Sequence, residues 1–96
     1  MEDDEDIAAR VALLFRSYAD KLSADGRTHV DHYIDVGELE MAFESFVLTL
    51  MEERISPEAE DRVEMRAIGV ALKLDKETVF RPDFWEAAQS YFDWLA

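Results

Sequence analysis

The chain has 96 residues and no cysteine, so one domain is expected, and disulfides, thiolate nucleophiles and thiolate metal sites are excluded. Hydrophobic residues make up 49% of it, too many for a disordered chain, and no apolar run is long enough to span a bilayer. Lys and Arg total 10 against 23 Asp and Glu, and the resulting net charge of -13 disfavours nucleic acid and anionic membrane while favouring a basic protein partner.

Residues 1–6, MEDDED, form an acidic N-terminal extension. No basic stretch precedes an apolar run there, so no signal peptide is expected and the expected location is cytoplasmic. From Ile7 the apolar positions Ile7, Val11, Leu14, Phe15, Tyr18 and Leu22 are three or four apart, which makes one helical stripe. Asp6 is the expected N-cap, with the preceding acids at the positive end of the helix dipole. Ser23 to Thr28 reads as a loop. Val30, Tyr33 and Ile34 predict a short helix that Gly37 ends in a left-handed conformation.

A longer helix is predicted from Glu38 to Arg54, with Leu39, Ala42, Phe43, Phe46, Val47 and Leu50 inward and Met51 at the edge. Ser56-Pro57 predicts a restart, serine as cap and proline as first helical residue, with Glu58, Glu60 and Asp61 in the first turns. The stripe of this helix is read as Ala59, Val63, Ala67, Val70 and Leu74, with Ile68 and Ala71 beside it. Gly69 within it costs about 1 kcal/mol relative to alanine, and a close approach by another helix would offset that. Lys73 to Arg81 reads as a linker. Pro82 is expected to open the last helix, with Phe84, Ala88, Tyr91 and Leu95 inward and Trp85, Phe92 and Trp94 widening its apolar surface. The expected fold is all-α: a compact single-domain bundle of four main helices plus one short helix, spanning residues 1–96.

Catalytic and metal chemistry find little support in these residues. Neither Gly26 nor Gly37 can be the sixth residue of a calcium loop. With Gly37 there, the first, third and fifth positions would be His32, Ile34 and Val36, and with Gly26 there the first and twelfth would be Lys21 and His32. His29 and His32 lie one turn apart and would need a third ligand to hold zinc; as surface residues they would add a pH dependence to binding there. No phosphate-binding glycine loop or nucleophile elbow occurs, and the carboxylates fall on polar helix faces. No enzyme, catalytic residue, metal or cofactor is expected.

The remaining signal is a binding surface. Asp31 and Asp35 share a face of the short helix, and Glu38, Glu40 and Glu44 follow at the start of the next. These five carboxylates gather around one turn, with Tyr33 as an aromatic anchor. A plain solvated face is the competing reading. The segment VDHYIDVGELEMAFESFVLTLMEERISPEAEDRVEMRAIGVALKLDKETVF resembles the MafI-type immunity proteins of bacterial polymorphic toxin systems. The shared features run in order: a short helix ending in Gly37-Glu38, the Ala42-Phe43 pair, and a leucine-rich remainder. They continue with the Ile55-Ser56 restart and with Ile68-Gly69 before Leu72-Lys73-Leu74-Asp75. The acidic N-terminus and the aromatic-rich end after Asp75 depart from that pattern.

The resemblance implies a small cytoplasmic protein that binds and neutralises a cognate toxin domain, often a nuclease. A nuclease carries cationic residues to hold phosphates, so an acidic surface complements it. The expected partner is the basic C-terminal domain of such a toxin, met by Asp31, Tyr33, Asp35, Glu38, Glu40 and Glu44 with no direct contact to nucleic acid or membrane. Two readings of another class compete. One is a helical homodimer or adaptor that self-associates through Trp85, Phe92 and Trp94, and the other is an acidic nucleic-acid mimic that binds a regulator.

Overall fold

Apolar residues at three- and four-residue spacing produce five helices, α1 (Asp4–Tyr18), α2 (Ala24–Asp35), α3 (Leu39–Glu52), α4 (Ala59–Ala71) and α5 (Phe84–Leu95), with a 3-10 turn at Ala19–Lys21. The computed structural model describes residues 4–95 and the side chains of residues 5–93. Among these residues there is no strand, and no helix is long and apolar enough to cross a membrane. The chain is an all-α single domain. Its radius of gyration of 12.1 Å matches the roughly 12.5 Å expected of a compact chain of this length.

The central element is α3. Ala42, Phe43, Phe46, Val47 and Leu50 are all buried on it, as their spacing predicts. It packs chiefly on α2 and also touches α1 and α5, while α1 closes against α4. The stripe of α1 is buried in full, from Ile7 to Tyr18 and on to Leu22, and Phe15 meets the Phe46 ring edge-on at 6.1 Å. Phe84, Ala88 and Phe92 of α5 complete the core. The side chains of Trp94 and Leu95 lie outside the described residues.

Three helix ends share one device. Gly37, Arg54 and Lys73 have φ of 77°, 56° and 62°. The N–H of the residue after each bonds back to a carbonyl five residues earlier: Glu38 to Tyr33, Ile55 to Leu50 and Leu74 to Gly69, each at 2.9 Å. This is the Schellman end, which satisfies carbonyls that a helix terminus leaves unpaired. Gly37 was expected in that role and adopts it without steric cost, whereas Arg54 and Lys73 carry a Cβ into the left-handed region.

Several helix starts depart from expectation. Asp6 lies inside α1, which already includes Asp4, so the end of the acidic segment is helical rather than an extension; residues 1–3 are outside the described structure. Ser23 is the N-cap of α2, its hydroxyl accepting the Gly26 N–H at 3.1 Å, so most of the expected loop is helix and α2 is 12 residues long. α4 begins at Ala59, and Pro57 is buried ahead of it instead of opening it. Pro82 likewise precedes α5 by two residues.

The largest correction concerns the face of α4. Val63 is 66% exposed and Val70 53%, and Ala59 and Ala67 are exposed with them. Of the expected stripe only Leu74, beyond the helix, is buried. The inward face is Met65, Ile68, Gly69 and, just after the helix, Leu72. Bulkier side chains remove more apolar area from water than alanine and valine do. Polar partners set the same orientation. Arg10 of α1 forms a two-point ion pair with Glu64 at 2.7 and 2.9 Å, and the buried Tyr18 hydroxyl donates to Asp61 at 2.5 Å while accepting the Glu58 N–H at 2.9 Å. Gly69 meets the close approach expected of it, from one side chain: a Cβ there would collide with the Trp85 indole.

Candidate binding surface

Of the six residues expected at the binding surface, Asp31, Asp35, Glu38 and Glu40 are exposed and Tyr33 is half-buried. Asp31 and Asp35 share a shallow depression with Thr28 and His32 on the outer side of α2. Glu38 stands at the N-cap of α3, where its side chain makes no capping hydrogen bond. Glu40 lines a separate depression with Leu72, Lys73 and Val79. The acids thus surround the α2–α3 turn without converging on one cavity.

Glu44 corrects the expectation. It is 0% exposed and turned into the protein. One carboxylate oxygen accepts the Val79 N–H at 2.8 Å, and the other accepts those of Phe80 at 2.8 Å and Arg81 at 2.9 Å. Three successive backbone N–H groups converging on one anion form a nest, which compensates burial of the carboxylate. Glu44 therefore cannot meet a partner. It ties the 79–81 segment to α3 from inside and holds that segment's side chains in place. Phe80, 45% exposed, stands 5.7 Å from the Tyr33 ring, and Val79 beside it is 44% exposed.

Tyr33 and Phe80 form one wall of a groove of about 390 Å³ between α2 and α3. Asp25 and His29 of α2, Leu48 and Glu52 of α3, and Glu53 at its end are among the other lining residues. The His29 ring is oriented by its Nδ1, 2.8 Å from the Asp25 carbonyl oxygen. At one end Ser23 clamps the two helices together. Its N–H and hydroxyl donate to the two Glu53 oxygens at 2.8 and 2.6 Å. The Ser23 hydroxyl and N–H hold the Glu53 carboxyl below its ordinary 4.5. Arg81 is paired with Asp83 at 2.5 Å, and that guanidinium in turn lowers the Asp83 carboxyl.

Among the described residues no group of three or more His, Asp or Glu is placed to hold a metal ion. His32 packs against Tyr33 at 5.7 Å. Of the aromatic surface expected on α5, Phe92 is buried and Trp85 is half-buried against Gly69, while the Trp94 side chain lies outside the described residues. Sequence reasoning missed Phe80, Val79 and the inward role of Glu44. The one available signal was an acid four residues from Glu40 but flanked by Phe43 and Phe46. Comparison with family models, curated proteins and solved structures finds no match to this chain.

Proposed function

We propose that this protein is a cytoplasmic immunity protein that binds and neutralises a cognate toxin domain, a basic nuclease domain, by stoichiometric occlusion and with no chemistry of its own. The observation that carries this reading is the exposed acidic rim of Asp31, Asp35, Glu38 and Glu40 around the Tyr33–Phe80 edge, on a chain of net charge -13. The resemblance to MafI-type immunity proteins across the same residues supports it. Exposed carboxylates speed encounter with a cationic surface, and a half-buried aromatic pair supplies contact area once docked. Glu44 contributes from inside, by holding Phe80.

The test is the double variant Asp35→Asn/Glu38→Gln against the proposed cognate toxin domain. Association slows by roughly threefold to tenfold, and its salt dependence weakens, while the circular dichroism spectrum stays that of the wild type. Unchanged association kinetics would move the interface off this rim.

A second reading is self-association or an adaptor role. The exposed row of Ala59, Val63, Ala67 and Val70 favours it, whereas Phe92 of the expected α5 surface is buried. Sedimentation in dilute solution separates the two, because a dimer that Val63→Glu dissolves while toxin capture survives places the row in self-association.

A further inference from the structure

We propose that the groove between α2 and α3 is a subsite for an arginine side chain of the partner. This deepens the immunity reading and rests on it for the identity of the occupant. Three features of the groove point to a guanidinium. The aromatic rings of Tyr33 and Phe80, tilted at 44° to each other, line it, and aromatic rings suit a planar, weakly hydrated cation better than a compact ammonium. Leu48 offers apolar surface for the methylene stem. Asp25 and Glu52 supply the carboxylates, and among the described residues neither side chain accepts a hydrogen bond or joins an ion pair within the fold. Glu53, the third acid of the groove, is occupied by Ser23.

Two further observations concern specificity. Arg81 lies close enough to Glu52 to feel its charge, but its guanidinium is engaged by Asp83. Phe80 is an exposed ring on a segment tied down by a fully buried carboxylate. Burying a charge to order an exposed aromatic edge adds little to the core, and it pre-organises a binding edge. Glu44 is thus a positioning residue for Phe80.

The experiment titrates N-acetyl-arginine amide into the full chain, free of any toxin, and follows its amide and ring resonances. Shifts confined to the groove, at Asp25, Tyr33, Leu48, Glu52 and Phe80, are expected, larger than those caused by N-acetyl-lysine amide. Phe80→Ala or Glu52→Gln each weakens the binding by roughly twofold to fivefold. Both positions are exposed, so the fold tolerates the changes. Shifts spread evenly over the acidic surface, equal responses to the two amides, or indifference to Phe80→Ala would overturn the proposal. The toxin experiment stands apart from this one. A groove that takes arginine amide on a chain that captures no toxin sinks the immunity reading alone, and the reverse outcome sinks the subsite alone.

Discussion

α3 and α4 are helices of 14 and 13 residues, yet one faces the way its pattern predicts and the other faces the opposite way. α3 has a single apolar stripe and is central, so no rotation about its axis would bury more. α4 has two. One is Ala59, Val63, Ala67 and Val70; the other, shorter and on the far side, is Met65, Ile68 and, just past the helix, Leu72. Hydrophobic periodicity identifies both stripes and ranks them by count. Burial ranks them by the area each removes from water and by the partners its polar residues find. Met65 and Ile68 outweigh alanines, and Tyr18 and Arg10 wait on α1 for Asp61 and Glu64.

The comparison breaks most sharply in the core. Phe46→Ala on α3 is expected to cost about 4 kcal/mol and Ile68→Ala on α4 about 3 kcal/mol, measured by urea unfolding. A near-neutral Ile68→Ala would mean that the two stripes of α4 are interchangeable. Next in size is the inward acid of α3. Glu44→Ala leaves three backbone N–H groups without their acceptor and costs on the order of 3 kcal/mol, with loss of the Tyr33–Phe80 ring contact in nuclear Overhauser spectra. An exposed rim carboxylate would show neither effect.

Tyr18→Phe sharpens the comparison from the α1–α4 side. It strands the Glu58 N–H and the Asp61 carboxylate and costs about 2 kcal/mol. It also changes the pH response. Burial, then the hydrogen bond to Asp61, push the Tyr18 phenol from 10.0 up to about 12. The folded state holds the proton more tightly than the unfolded state, so this contribution is complete below pH 10.0 and is lost as pH rises towards about 12. The wild type therefore loses stability over that window more steeply than Tyr18→Phe. Acid acts in the opposite sense. Hydrogen bonding from Arg10 lowers Glu64, and that from Ser23 lowers Glu53, so both contributions stand above the ordinary 4.5 and fade as pH falls below it.

The smallest effects belong to the exposed side of α4. Val63→Ser and Val70→Ser are each expected to change stability by no more than about 0.5 kcal/mol. Lys73→Gly, at its left-handed end, is expected to raise stability by up to about 1 kcal/mol. Large losses at Val63 or Val70 would return the buried face to the stripe that counting prefers.

Local pattern made most of the fold legible. The five helices, the α1 and α3 faces and the Gly37 turn all follow from spacing, caps and a glycine at positive φ, which are short-range effects. The rim acids Asp31 and Asp35 were legible for the same reason, because polar residues away from an apolar stripe face water, and Glu38 and Glu40 were legible as acids at the start of α3. Glu44 was not. It sits about 130° round α3 from the centre of the apolar stripe, where helix periodicity alone predicts exposure, and only a distant covering segment makes it buried. The segment that covers it is 35 residues away in the chain.

By itself the sequence determined the helical class, the charge and the residues on each helix face, since each depends on neighbours within a turn or two. Tertiary structure alone decided which stripe of α4 is core, that Glu44 closes a nest of backbone N–H groups, and that Phe80 stands beside Tyr33 over a groove. Those outcomes depend on which distant groups compete for the same buried volume and the same hydrogen bonds, and no local period records that competition.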